Sequence, residues 1–223
     1  MIKSILIVAM ALAAATTVQA QPLPTATPES VNMSSERLRR IDAFFTSEME
    51  RNRVPGAVVA IARQGKLVYF KAFGFADKAK GIPATTDTIF HLASMTKPMV
   101  AVGALALSEQ ARLPLQTKLA DYFPGFGTML VGVQTADGKF TTEPQKRPIL
   151  IHDLFRHTSG LTYGGRPDGG SPLAAQWPSG GAASYMGKAN EMAEALTKLL
   201  LVHQPGTVFE YSLSFDVLGA VVE

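Results

Sequence analysis

An α+β fold is predicted by three features of the sequence. A helical pattern precedes two adjacent β-rich runs, mainly helical patterns follow them, and no internal repeat is visible. Of the 223 residues, 47% are hydrophobic and 17% charged, which excludes disordered, collagen-like and coiled-coil chains. The length suits one domain, or a large piece of a bigger one.

Residues 1–20 carry Lys3, an eleven-residue apolar run over 5–15, and small residues ending at Ala20. This reads as a secretory signal with Gln21 as the mature N-terminus, because a span of about 30 Å of bilayer needs about 20 apolar residues. Loss of Lys3 takes the formal charge from +3 to +2, and with no cysteine a lipoprotein anchor is excluded. The product is expected to be periplasmic or secreted, without a stable membrane anchor. Residues 21–32 form a Pro/Thr/Ser-rich leader, so the folded domain is expected over 33–223.

Ser34 or Ser35 caps a segment with Leu38, Ile41, Phe44, Phe45 and Met49 at helical spacing, ending near Asn52. Pro55-Gly56 breaks it. Residues 57–62 and 66–72 are β-rich and joined by Arg63-Gln64-Gly65, a hairpin signal. Helical patterns follow at about 95–110, 152–157 and 190–202, separated by Gly/Pro-rich loops such as 163–187. From Asp216 an apolar helix begins and reaches Glu223 without a stop signal, and two strands rarely make a stable sheet, so further strands are expected beyond residue 223.

Several chemistries are absent as motifs: G-x-S-x-G, a phosphate loop, G-x-G-x-x-G and H-E-x-x-H do not occur. His152 and His157 stand five apart, a poor metal spacing, and read as structural, as do the isolated His91 and His203. Arg37, Arg39 and Arg40 form a solvated helix face rather than a nucleic-acid patch. What remains is His91-Leu-Ala-Ser94-Met-Thr-Lys97-Pro98, containing S-x-x-K. Pro98 is comfortable only in the first turn of a helix, which puts Ser94 at its N-terminus and Lys97 within reach of the Ser hydroxyl. A serine becomes a nucleophile when a neighbouring base takes its proton, and a lysine can do so if burial lowers its pKa. A capping serine beside a surface lysine is the alternative on this segment alone.

Two further segments accompany it. Phe90 to Lys97 matches F-x-x-A-S-x-T-K, His152 to Leu161 matches H-D-L-x-x-H-T-S-G-L, and Pro205 to Ser212 matches P-G-x-x-F-x-Y-S. In this order the chain resembles the serine β-lactamase and penicillin-binding-protein superfamily, in its class C β-lactamase-like branch, and residues 211–219 are most similar to the esterases called family VIII. The resemblance implies a β-lactamase/transpeptidase-like fold, with an antiparallel sheet flanked by helices plus a helical region. It implies Ser94 as acyl-accepting nucleophile, Lys97 as its proton partner and Tyr211 as a second proton-transfer group. Ser212 and the loop aromatics Tyr163, Trp177 and Tyr185 are expected to line the substrate site. No metal or organic cofactor is implied, and the partner is a small-molecule acyl substrate met by a monomer.

Two departures from the family pattern stand out. Where many relatives have Tyr-x-Asn, this chain has Tyr211-Ser212-Leu213, which favours ester over β-lactam hydrolysis. The Lys/His/Trp-x-Gly strand motif is not found, which implies an N-terminal portion of an enzyme. A hydrolase working through a Ser94 acyl-enzyme on esters, β-lactams or D-alanyl peptides is the first reading, and a non-catalytic or truncated penicillin-binding-like protein the second.

Overall fold

Ser34 is the cap that the first helix uses: its Oγ accepts the Arg37 N–H at 3.2 Å and opens α1 (Ser35–Glu50). The computed structural model describes residues 22–165, 172–178 and 187–223, so the signal segment 1–20 and Tyr185 lie outside the described residues. The chain divides into two units, Met1–His91 and Leu92–Glu223.

In the first unit, β1 (Gly56–Arg63) and β2 (Lys66–Asp77) pair antiparallel from Gly56 opposite Gly74 to Arg63 opposite Lys66, with a bulge at Ile61/Ala62. The two turn residues, Gln64 and Gly65, have φ of 52° and 70°. Positive φ at both centres matches the right-handed twist of the strands, the geometry the Gln-Gly pair was expected to supply. A two-residue β3 (Ile82–Pro83) adds to the outer edge of β2. Helix α1 is fastened to β2 by Asp42, whose carboxylate accepts from the Tyr69 hydroxyl at 2.6 Å and the Lys71 ammonium at 2.9 Å, while Phe45 stacks on Phe73 at 5.1 Å. The leader is not merely a prelude to this unit. Its Pro24 carbonyl accepts the Leu67 N–H at 2.9 Å, its Ala26 N–H donates to the Leu67 carbonyl at 3.0 Å, and Val31 is buried, which moves the start of the packed region upstream of residue 33.

The second unit holds α2 (Lys97–Glu109), the hairpin β4 (Leu130–Gln134) and β5 (Phe140–Pro144), α3 (Ile151–Phe155), α4 (Ala189–Leu196) and α5 (Ser214–Val222). Helix α5 packs against α2, α3 and α4, burying Val217 and Leu218 among Ala104, Ile151, Leu154 and Leu196. At about 25 cal/mol per Å² of apolar surface removed from water, each of the Val, Leu and Ile side chains among these stabilises the packed unit by roughly 1.5–3 kcal/mol. The β4–β5 hairpin was not among the expected strands, although Asp137-Gly138 at its turn, with Gly138 at φ 81°, is a hairpin signal. The expected helix over 190–202 ends at Leu196 because the chain beyond turns to pair with β4: Leu201 N–H donates to the Leu130 carbonyl and Gly132 N–H to the Leu201 carbonyl, both at 2.9 Å. The expected helix over 152–157 runs Ile151–Phe155, since His157 takes φ 53° and cannot continue it. Among the described residues no helix is long and apolar enough to cross a membrane, and no three His, Cys, Asp or Glu side chains are grouped to hold a metal.

Candidate active site

Ser94 sits in the single 3-10 turn Ala93–Thr96, and the α-helix begins only at Lys97, two residues later than the expected start, with Pro98 in its first turn. The turn is strained. Ala93 holds φ 47°, a left-handed conformation costing on the order of 1–3 kcal/mol for a residue with a Cβ, and such strain persists only where the surroundings impose it. The result is an exposed Ser94 hydroxyl with Lys97 one turn on.

The three residues expected to carry the chemistry come together. The Tyr211 hydroxyl lies 2.8 Å from Ser94 Oγ, and Lys97 Nζ lies 3.3 Å from the same oxygen. Lys97 Nζ is also 4.8 Å from the centroid of the Tyr211 ring. Tyr163 joins them in a place that the sequence reading did not foresee: its hydroxyl accepts from Lys97 Nζ at 3.5 Å and donates to Asp216 Oδ2 at 3.3 Å. Asp216 was read only as the beginning of an apolar helix, and an acid in the first turn of a helix, as here in α5, needs no further explanation, which hid its contact.

The electrostatics correct one expectation. Burial does oppose the Lys97 ammonium, but the hydrogen bonds and charge of Tyr211 and Tyr163 outweigh it and hold Lys97 above the usual lysine range, not near neutrality. The phenols are pushed apart. Burial favours neutral Tyr211, yet the Lys97 and Ser94 hydrogen bonds and the Lys97 charge bring it below the usual tyrosine value. Burial and the Asp216 charge push Tyr163 up. Among these groups Tyr211 is the phenol whose ionised form is favoured over that of an ordinary tyrosine, and Lys97 is the cation that favours it.

The H-D-L-x-x-H-T-S-G-L segment builds the frame behind Tyr211. Asp153, buried at 1% exposure, accepts two bonds from the Arg147 guanidinium at 2.7 and 2.8 Å, the Leu150 N–H at 2.9 Å and the Thr158 hydroxyl at 3.0 Å. These fix the turn that follows α3. From that turn the His157 carbonyl accepts the Glu210 N–H at 2.8 Å and His157 Nδ1 accepts the Ser212 N–H at 3.2 Å, so the residues flanking Tyr211 are both held. The His157 ring lies 4.5 Å from the Tyr211 ring, and burial, then the Lys97 charge, push its pKa down to about 4. It is a neutral acceptor at physiological pH, in keeping with its expected structural role.

Two expected substrate contacts are corrected. Ser212 is fully buried, its hydroxyl 2.7 Å from that of Ser214, which is in turn 2.8 Å from Ser159 Oγ. This hydroxyl chain ties the segment before α5 to the turn after α3 and leaves Ser212 no surface to offer a substrate. Trp177 is a packing anchor: 3% exposed, it donates its indole N–H to the Leu200 carbonyl at 3.1 Å. A cavity of about 330 Å³, lined by Lys97, Val100, Met192, Phe215 and Asp216 among others, opens beside the cluster.

Residues 41–223 match the Beta-lactamase family model. Esterase EstB of Burkholderia gladioli is 38% identical over 184 residues, which are 82% of this chain and 44% of that protein. The solved structure of EstCE1, described as a hydrolase with promiscuous acyltransferase activity, superposes with a TM-score of 0.66 at 32% identity, over 82% of this chain and 45% of that one. The LovD9 mutant of simvastatin synthase from Aspergillus terreus gives 0.65 at 26% identity, over 83% and 48%. The chain therefore spans less than half the length of these relatives. Its ordered motifs and its β-lactamase/transpeptidase-like fold agree with them, and the chain belongs to the Beta-lactamase family, on the esterase-like branch of the serine β-lactamase and penicillin-binding-protein superfamily.

Proposed function

We propose that this chain carries the acylation centre of an exported serine hydrolase that cleaves carboxylic esters through a Ser94 acyl-enzyme. The observation that carries the proposal is Ser94 Oγ held between the Tyr211 oxygen at 2.8 Å and Lys97 Nζ at 3.3 Å. In the proposed reaction Ser94 Oγ attacks the ester carbonyl while its proton passes to the Tyr211 phenolate. Tyr211 then returns that proton to the alkoxide leaving group, and water hydrolyses the acyl-serine by the same route in reverse. Lys97 remains an ammonium throughout and stabilises the phenolate it adjoins. General acid–base transfer of this kind supplies about 10²–10⁴ in rate. Esters are favoured over β-lactams because Leu213, buried in the core, stands where an amide would reach a lactam side chain, and because relatives on this branch are named as an esterase and a hydrolase.

Export rests on the signal pattern of residues 1–20, and the substrate is a small acyl compound met by a monomer in the periplasm or outside the cell. The test is intact-mass spectrometry of the chain after p-nitrophenyl acetate or a fluorophosphonate, with Ser94→Ala beside it. An adduct on the native chain that disappears in the variant supports the reading. Full esterase activity in Ser94→Ala overturns it.

A further inference from the structure

We infer that Asp216 and Tyr163 are positioning residues which act in series to fix the Lys97 ammonium against Ser94, an inference that rests on Ser94 being the nucleophile. The contacts form one line. Asp216 Oδ2 accepts from the Tyr163 hydroxyl at 3.3 Å, the Tyr163 oxygen accepts from Lys97 Nζ at 3.5 Å, and Lys97 Nζ donates to Ser94 Oγ at 3.3 Å.

The donor inventory allows this line only one polarity. An ammonium has three donors and no acceptor, and a carboxylate has acceptors alone, so the hydroxyl between them must give its proton to Asp216 and turn its lone pairs to Lys97. Asp216 therefore decides which way Tyr163 points, and Tyr163 decides where one Lys97 hydrogen goes. With that hydrogen committed, a second faces Ser94. Lysine otherwise carries its head on a flexible four-carbon stem, so an ammonium without this tether would sample positions from which it neither reaches Ser94 nor adjoins Tyr211. The three residues come from three places, the first turn of α2, the segment after the His157 turn and the first turn of α5, so folding of the second unit assembles the line.

Among the described residues, charged groups reach the line from several elements. Lys97 faces it from α2, Asp216 from α5 and His157 from the turn after α3, with the Tyr211 ring 5.9 Å from the Tyr163 ring and Lys188 on the wall of the cavity that Asp216 and Lys97 share. His157 stays neutral at physiological pH; among the described residues Asp216 is the acid that contacts the line, and Glu210 lies beside it, accepting from the Thr162 hydroxyl at 2.8 Å. Its charge pushes both tyrosines up, Tyr163 more directly, and opposes the pull of Lys97 on Tyr211.

The experiment follows Ser94 acylation of the full chain by p-nitrophenyl acetate, by burst kinetics across pH and by intact mass, in native, Tyr163→Phe, Asp216→Asn, Asp216→Glu and Tyr163→Phe/Asp216→Asn proteins of equal melting temperature. Tyr163→Phe is expected to slow acylation by about 10- to 100-fold, the worth of a hydrogen bond to a charged group, with little change in KM. Asp216→Asn keeps an acceptor but removes the charge. It is expected to slow acylation about tenfold, the lower end of that range, and to move the acidic limb of the profile to lower pH, since Tyr211 loses a neighbouring anion. Asp216→Glu restores the native limb. Because the two residues position Lys97 through one contact, the double variant is expected to match Tyr163→Phe in its limiting acylation rate while keeping the lowered acidic limb of Asp216→Asn. Losses that multiply in the double variant, or an acidic limb unmoved in Asp216→Asn, overturn the inference. A native chain that is never acylated at Ser94 overturns the parent reading instead, and is recognised by the same mass measurement.

Discussion

Replacing Arg147 by Ala tests whether the frame behind Tyr211 is held electrostatically. Asp153 is 1% exposed while the Arg147 side chain is 39% exposed, so the variant strands an anion inside the protein with the Leu150 N–H and the Thr158 hydroxyl still donating to it. Removing one partner of a buried pair costs about 3–5 kcal/mol, because the other is left uncompensated. At about 2–4 °C per kcal/mol for a chain of this size, the melting temperature at pH 7 is expected to fall by about 6–20 °C. The pH dependence has a defined sign. Burial would raise the Asp153 carboxyl, but Arg147, Leu150 and Thr158 outweigh it and hold it below the usual carboxylate range. Its contribution to stability is therefore complete above the unfolded value of about 3.9 and is lost as pH falls through the native one. The gap between native and variant narrows over the same acid range, as the stranded carboxyl takes up a proton. Thermal melts by circular dichroism at pH 7 and at about pH 2, below the unfolded carboxylate value, read both effects. Adding Asp153→Asn to the variant is expected to recover part of the loss, since a neutral amide needs no countercharge. A melting temperature within about 2 °C of native at pH 7, which this scale equates to less than about 1 kcal/mol, refutes the reasoning.

Tyr211→Phe keeps the ring against His157 and removes only the oxygen beside Ser94, so acylation is expected to fall by roughly 10²–10⁴ with the melt unchanged; a loss below tenfold in stopped-flow bursts would assign the proton elsewhere. In the native chain the acylation rate is expected to rise with pH through a midpoint below the ordinary tyrosine value of about 10, and a rise centred at or above it contradicts the lowered Tyr211. Gly160→Ala places a Cβ 2.3 Å from the His203 carbonyl at φ 86°, and since the left-handed conformation alone costs about 1–2 kcal/mol, both the melt and the acylation rate are expected to drop. An unchanged melt would mean that the turn after α3 yields freely.

The elements that the sequence made legible are those whose local signals agree with their packing. Ser34 caps α1, Gln64-Gly65 supplies the turn between β1 and β2, and Pro98 marks the first turn of α2, each through backbone chemistry that tertiary context does not override. The failures have physical causes too. Residues 197–202 keep a helical pattern, but pairing of Leu201 with β4 draws the chain out of the helix. Ser212 carries a hydroxyl suited to a substrate contact, and nothing in its neighbours tells that His157 and Ser214 will enclose it. Tyr163 was expected at the site as one of the aromatics of the 163–187 loop, while its link to Lys97 and Asp216 depends on residues 66 and 53 positions away, which no local pattern carries.

The neutral histidine behind Tyr211 leaves Lys97 as the cation that contacts the Tyr211 ring among the described residues. A protonated His157, with its ring 4.5 Å from the Tyr211 ring, would also pull the phenol down, but it would need a buried charge beside Lys97, and both burial and that neighbour push it to about 4 instead. The ring is then free to accept the Ser212 N–H, a bond that an imidazolium, having only donors, could not accept at Nδ1. Position and charge are thereby separated: His157 fixes where Tyr211 stands, and Lys97 fixes how acidic it is. Acidification through the His157 value of about 4, below the range in which protonation of Tyr211 has already ended acylation, is expected to break the Ser212 contact and displace Tyr211, read as a change in tyrosine fluorescence. Fluorescence unmoved through that value would mean that His157 does not fix where Tyr211 stands.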